Sequence, residues 1–244
     1  MSHPLTHGHL GVDVPDSRGR TGLDQAGREL TRNPNVEVDH VEVTSDGWHV
    51  LRRTTFRYRG RDGEWATQQR ETYDRGNGAT ILLYDLDARQ ILLGRQFRYP
   101  VYVNGHEDGM LLETAAGLLD GDSPEDAIRR EAEEELGVVV GHVTPVFELF
   151  MSPGSVTESI HFFAAPWAAA APVTGGGGVE EEGEEIESVA LDFDEALRMI
   201  KTGEIQDAKT VLLLQWAALN LPWPAAEPPP AEGTRPVEGG KPHA

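Results

Sequence analysis

Residues 113–138 read ETAAGLLDGDSPEDAIRREAEEELGV. The second half of this stretch is a helix by its own chemistry. Asp122 or Ser123 can cap its N-terminus, Pro124 suits the first turn, and Glu125 and Asp126 complement the helix dipole. The spacing predicts a helix over 123–136, with Ala127, Ile128, Ala132 and Leu136 as its apolar packing and Val138 just beyond. At ~100° per residue, Glu131 and Glu135 lie about 40° apart and Glu134 about 60° to the other side, so three carboxylates share one face. Glu133 points elsewhere and reads as solvated. Like charges at i, i+4 destabilise an isolated helix by a few tenths of a kcal/mol, on the order of 0.2–0.5. Such a face is either ordinary surface or a place for a cation. Oxygen-only ligands suit Mg²⁺, which often bridges to substrate phosphates.

The whole chain sets bounds on what that face can serve. Its 244 residues allow one or two domains with a proper core. Against 41 Asp and Glu stand 21 Lys and Arg, a net charge of −20. A nucleic-acid backbone or an anionic membrane would be repelled, and a phosphorylated substrate needs cations or local Arg and Lys to be held. There are no cysteines, which excludes disulfides and thiolate metal sites. No apolar run approaches the ~20 residues needed to span a membrane. The N-terminal MSHPLTHGHLGV has neither a basic region nor an apolar core, and the expected location is cytoplasmic.

Working outward from the helix, the pattern is that of an α+β domain. Residues 1–35 are polar and aperiodic and are expected to be mostly disordered, with a short helix near 24–31; His3, His7 and His9 read as a solvated terminus rather than a metal site. Alternation predicts a strand meander over 36–44, 48–58 and 65–73, with turns at SDG and GRDGEW. After the Gly-rich break DRGNG come two buried strands, ATILLYD and QILLGRQFR, and GMLLETAAG reads as one more. HVTPVFELFMS, ESIHFFAAPW and EEIESVALDF are further strands, and DFDEALRMIKTG and DAKTVLLLQWAALN are helices. TGGGGVEEEGEE is a flexible acidic loop, and the Pro/Gly-rich residues 222–244 form a disordered tail. The expected divisions are an N-terminal segment 1–35, a β-subdomain 36–74, a main domain 75–221 and a tail 222–244.

The opening stretch resembles the Nudix box, which reads Gly, five residues, Glu, seven residues, then Arg-Glu-apolar-x-Glu-Glu-x-Gly-apolar. Arg130 to Val138 match its second half in register. The first half departs: from Gly117 the loop is one residue short, and Asp122 or Ser123 stands where the family has Glu. Outside the box, YDRGNGATILLY, RQFRYPVYVNGHEDGMLLETAAGLLD, FELFMSPGSVTESIHFF and MIKTGEIQDAKTVLLL resemble the GDP-mannose pyrophosphatase branch of the Nudix hydrolases, and more loosely the ADP-ribose pyrophosphatases. The likeness covers residues 36–219. It implies a Nudix α/β/α sandwich with an N-terminal antiparallel β-subdomain. It also implies a homodimer in which these subdomains are exchanged, so that one subunit completes the other's site.

The resemblance also implies roles. Glu131 and Glu135 match family metal ligands for Mg²⁺, with Mn²⁺ as a substitute. Glu134 is a further ligand or supports one, and the backbone carbonyl of Ala116, just before Gly117, is another. Counting back from Ile186, Glu184 matches a carboxylate that ligates metal or activates the attacking water, with Glu182 as the alternative. Arg98 matches a phosphate-contacting Arg, a task that suits a planar guanidinium, while Arg95 reads equally as a structural ion-pair partner. Arg130 is expected to pair with a box carboxylate. Glu158 and Lys209 match substrate contacts, as do Arg70 and Glu71 from the β-subdomain. Trp48 stacks on a base or packs in its sheet. Glu113 is expected to orient the box loop. The implied reaction is Mg²⁺-dependent cleavage of a nucleoside-diphosphate sugar, GDP-mannose first, into a nucleoside monophosphate and a sugar 1-phosphate. ADP-ribose as substrate is the nearest alternative. A non-catalytic nucleotide-sensing module is the alternative of a different class, against which the intact Glu131, Glu134 and Glu135 argue.

Overall fold

The computed structural model describes residues 33–119, 121–170, 176–178 and 185–224. His3, His7, His9, the helix expected over 24–31, most of the acidic loop with Glu182 and Glu184, and most of the tail lie outside them.

The predicted meander is an antiparallel three-stranded sheet in the order β1–β2–β3: β1 (Val36–Asp46), β2 (Val50–Arg59) and β3 (Trp65–Asp74). Trp48 falls in the β1–β2 turn rather than in a strand. A second, seven-stranded sheet is built from β4 (Gly78–Asp85), β5 (Gln90–Phe97), β6 (Met110–Glu113), β7 (Ala115–Leu118), β8 (Thr144–Phe150), β9 (Ser159–Pro166) and β10 (Glu187–Asp192). Its spine runs β10–β5–β4–β9–β8, with β4 and β9 parallel and the other pairs antiparallel.

Alternation along β4 makes this sheet the middle layer of a sandwich. Ile81 and Leu83 face one core, and Leu82 between them faces the other. On the first side lies α2 (Pro124–Leu136), which buries Ala127, Ile128, Ala132 and Leu136. On the second lie α3 (Phe193–Thr202) and α4 (Ala208–Asn220), with Phe193, Leu213 and Leu214 packed on Leu82, Leu93 and Phe162. This is the Nudix α/β/α arrangement with an antiparallel β-sheet before it.

The helix ends follow the sequence closely. Ser123, not Asp122, caps α2: its Oγ accepts from the Asp126 amide at 3.2 Å. Gly137 closes α2 at φ 67°, a left-handed conformation that glycine adopts without strain. Asp192 and Asp207 cap α3 and α4. No helix among the described residues is long and apolar enough to cross a membrane.

Two local readings are corrected. GMLLETAAG is not one strand but two, β6 and β7, because β4 and β5 diverge. They pair with each other only over 83–85 and 90–92. Beyond that point β5 takes β6 as partner and β4 takes β7, so the two short strands wedge into a fork. At the break, the Thr114 amide leaves the ladder and donates to Thr210 Oγ1 at 2.8 Å. The second correction is α1 (Tyr99–Val103), a short helix within RQFRYPVYVNG where no helix was expected. Pro100 in its first turn fits a helix start, but five residues are too few for a periodic signal.

The position of α2 depends on its apolar face, and Ile128 is fully buried there. Ile128→Ala is expected to lower unfolding free energy by about 2–5 kcal/mol, the usual range for truncating a core aliphatic. Urea unfolding followed by far-UV circular dichroism measures it. A loss under about 1 kcal/mol would mean that α2 is not held by this contact.

Candidate active site

The fork between β4 and β5 opens into a cleft of ≈ 390 Å³. Its lining draws on β4 (Gly78, Ala79), β6 (Glu113), β7 (Ala116, Gly117), the start of α4 (Lys209) and the residues Arg98 and Glu158 that flank β5 and β9. Residues far apart in the chain therefore converge because the strands splay.

The carboxylate face of α2 lies against one wall. A Cβ placed on Gly117 would come 2.1 Å from the carboxyl carbon of Glu131, so only glycine fits there with Glu131 in its present position. One turn on, Glu135 is buried and its Oε2 accepts from the Ala116 amide at 3.0 Å. Arg130 Nη1 lies 2.8 Å from Glu131 Oε1 and 3.2 Å from Glu134 Oε2, which fixes both side chains. Burial would lower the Arg130 pKa, but Glu131 and Glu134 outweigh it, and the guanidinium is held more firmly charged than usual. Glu133 is exposed, as its helical phase predicts.

Positive charge gathers beside that wall. Arg98 donates through Nε and Nη2 to the two oxygens of Glu113, at 2.8 and 3.1 Å. Lys209 Nζ lies 3.4 Å from the same carboxylate and 2.6 Å from Asp207 Oδ1. Desolvation would lower the Lys209 pKa, but Asp207 and Glu113 outweigh it and the net shift is upward, so the ammonium stays charged. Glu113, expected from its sequence position to orient the box loop, thus binds two cations. Glu158 completes the cleft, with its Oε1 3.3 Å from Arg75 Nε. Burial raises its pKa, and Arg75 and Lys209 only partly pull it back.

Of the residues singled out in the sequence, Arg98, Ala116, Gly117, Glu158 and Lys209 share this one cleft. Glu131 and Glu135 contact its wall, and Glu134 is joined to Glu131 through Arg130. Arg95 lies elsewhere, exposed and 3.8 Å from Glu187, as an ion-pair partner would. Trp48, Arg70 and Glu71 do not line the chain's own cleft. Trp48 is 75% exposed, so it is not packed in its sheet. Arg70 bonds to Gln69 O and Gln68, and Glu71 pairs with Arg53 at 2.9 Å. Sequence reasoning missed Arg75 and Asp207, which both line the cleft. Asp207 carried a signal, since it stands where α4 needs a cap. Arg75 sat inside DRGNG, which reads as a plain turn.

The donors along the Gly117 wall are carboxylate oxygens and backbone carbonyls, the set a hard divalent cation takes. Among the described residues, no three acidic or histidine side chains converge in a ready-made metal cluster. Glu131, Glu134 and Glu135 are instead distributed over Arg130 and the Ala116 amide. In chemistry, though not in finished geometry, these residues fit such an ion.

Residues 74–214 match the NUDIX domain, and residues 35–73 match the N-terminal domain of the GDP-mannose pyrophosphatase NudK. The chain belongs to the Nudix family, whose hydrolases generally use divalent metal cations, and it is a Nudix pyrophosphatase that cleaves phosphorus-containing anhydrides. More particularly, it is similar over most of its length to proteins named GDP-mannose pyrophosphatase. That of Klebsiella pneumoniae subsp. pneumoniae is 51% identical over 182 residues, covering 75% of this chain and 91% of the relative. That of Escherichia coli O1:K1 is 52% identical over 179 residues, covering 73% and 93%. That of Salmonella paratyphi B is 54% identical over 175 residues, covering 72% and 91%.

The Gly117–Glu131 contact yields a sharp expectation. A methyl group at 117 meets the far end of a flexible side chain, so the fold can yield cheaply by swinging Glu131 aside. Gly117→Ala is expected to keep its thermal midpoint within a few degrees while pyrophosphatase kcat falls at least ~10²-fold, the scale of a 1 Å misplacement at a reacting centre. Retained kcat would show that the Glu131 position is immaterial.

Proposed function

We propose that the protein hydrolyses the pyrophosphate bond of a nucleoside-diphosphate sugar, GDP-mannose in preference, giving a nucleoside monophosphate and a sugar 1-phosphate. The observation that carries this reading is the cleft itself. It sets a carboxylate-lined wall at Ala116 and Gly117 beside two cationic side chains, Arg98 and Lys209. A diphosphate needs both: an ion bound by the wall and a guanidinium for its remaining oxygens. The names of relatives about half identical over nine-tenths of their length support the choice of sugar nucleotide.

In this reading Glu131, Glu135, Glu184 and the Ala116 carbonyl hold Mg²⁺, with Mn²⁺ as a substitute. The bound ion neutralises the diphosphate and stabilises charge developing in the transition state. The chain's own groups do the rest. Glu184, or Glu182 beside it, takes a proton from the attacking water; Glu134 supports the carboxylate wall together with Arg130. A water oxygen bonds to one phosphorus, the bridging P–O bond breaks, and the leaving phosphate departs as an oxyanion. Arg98 and Lys209 hold diphosphate oxygens, Gly117 lets the substrate approach the backbone, and Glu158 accepts from a substrate hydroxyl or base.

Trp48, Arg70 and Glu71 serve the site of a second copy, in a homodimer that exchanges the 36–74 subdomain while 75–221 carries the catalytic cleft. That none of the three lines the chain's own cleft supports that division. The protein acts in the cytoplasm.

The test is phosphate release from GDP-mannose and ADP-ribose, coupled to a phosphatase, with and without Mg²⁺. GDP-mannose is expected to be the better substrate by kcat/KM, with turnover lost on chelation. Preferred turnover of ADP-ribose would overturn the substrate, and absence of cation-dependent turnover of any nucleotide sugar would overturn the reaction. Within the same assay, Glu135→Gln should lower kcat by at least ~10²-fold, the scale of losing a preorganised electrostatic group. An unchanged kcat in the folded variant would remove Glu135 from the site.

A further inference from the structure

Glu158 stands immediately before β9, buried and facing the cleft. What fixes it there is the short connection between β3 and β4. On one side of Glu158, the Ser159 amide donates to Asn77 Oδ1 at 3.0 Å. On the other, the Thr157 amide donates to Tyr73 O at 3.1 Å, and the Thr157 hydroxyl donates to Asp74 Oδ1 at 3.2 Å. Tyr73 in turn donates its amide to Ser155 O at 2.8 Å and bridges to Val156. The second oxygen of Asp74 is held by Arg52 Nη1 at 2.5 Å, in an ion pair whose side chains are 2% and 0% exposed. Asn77 is itself buried. The connection turns through Gly76 at φ 88°, a left-handed conformation that puts Asp74 and Asn77 on the same loop.

Buried polar groups are normally satisfied, so each bond alone would be ordinary. The arrangement is not. Both neighbours of Glu158 are tied to residues 73–77, and Arg75 from the same connection contacts its carboxylate. We propose that Asn77 and Asp74 are positioning residues for Glu158. Asn77 acts through the Ser159 amide and Asp74 through the Thr157 hydroxyl, so that the end of the N-terminal sheet sets where the Glu158 carboxylate meets the substrate. This rests on the reading above that Glu158 contacts substrate.

The test is a set of variants of the full chain assayed with GDP-mannose at saturating Mg²⁺. Glu158→Gln should lower kcat/KM at least ~10-fold, and Asn77→Ala should lower it by about as much, since small misplacement of a substrate contact is costly. In the Glu158→Gln background, Asn77→Ala should cost less than ~2-fold, because a residue acting through another is not additive with it. Thr157→Val, which loses only the hydroxyl, should lower kcat/KM ~3–10-fold, and Thr157→Ser should restore it to within ~2-fold. An Asn77→Ala penalty as large without Glu158 as with it, or none in the wild type, overturns the Asn77 role. Thr157→Ser as impaired as Thr157→Val overturns the Asp74 role. If Asn77→Ala does not fold, the Thr157 pair in both backgrounds gives the same comparison. Full activity in Glu158→Gln would instead sink the substrate role of Glu158, on which the positioning role depends.

Discussion

The closeness of Gly117 to the Glu131 carboxylate is the constraint around which the site is arranged. With Glu131 where it stands, only glycine fits at that position of β7, and the carboxylate face of α2 lies directly against the strand. The like-charged i, i+4 pair Glu131 and Glu135 works against that helix by about a few tenths of a kcal/mol. Burial of Ile128 and Leu136 opposes this with about 1.5–3 kcal/mol each. Packing wins by a wide margin, so the core can hold a face that electrostatics alone would disfavour. The fork of β4 and β5 then brings Ala116 and Gly117 to that face, because β7 has a partner only where β5 has turned away.

A chain of net charge −20 must concentrate its cations to hold a diphosphate. It does so through Glu113, which is buried and binds Arg98 on two oxygens and Lys209 on one. The arrangement keeps both cations in the cleft without leaving either charge uncompensated. Lys209 is further stabilised by Asp207, which also accepts from the Thr210 amide and hydroxyl at the start of α4. The same threonine receives the Thr114 amide at the β6–β7 break. A single polar chain thus joins the strand fork to the cationic side of the cleft.

Much of this was legible in the sequence, and the reasons are physical. The start of α2 followed from Ser123 and Pro124, and its carboxylate face from the 3.6-residue period. The buried strands β4 and β5 followed from dense apolar runs, and the sandwich from the resemblance to the Nudix box. What was not legible depends on contacts between distant segments. Nothing in GMLLETAAG announces that its halves pair with different strands, because the cause is the divergence of β4 from β5. The five residues of α1 are too few to show a period. The cation-binding role of Glu113 needs Arg98 and Lys209, fifteen and ninety-six positions away, and so was not legible from its own stretch. Asn77 was hidden in a turn-like GNG, since its importance comes from accepting the amide of Ser159.

The central claim is that Glu131 and Glu135, held against Ala116 and Gly117, form a divalent-cation site that a pyrophosphate completes. Electron paramagnetic resonance of added Mn²⁺ tests it most directly, by counting protein-bound ions with and without a non-hydrolysable GDP-mannose analogue. Bound Mn²⁺ should rise when the analogue is added to the wild type, and that rise should be lost in a folded Glu131→Gln, Glu135→Gln double variant. Undiminished Mn²⁺ binding in the double variant would contradict the claim.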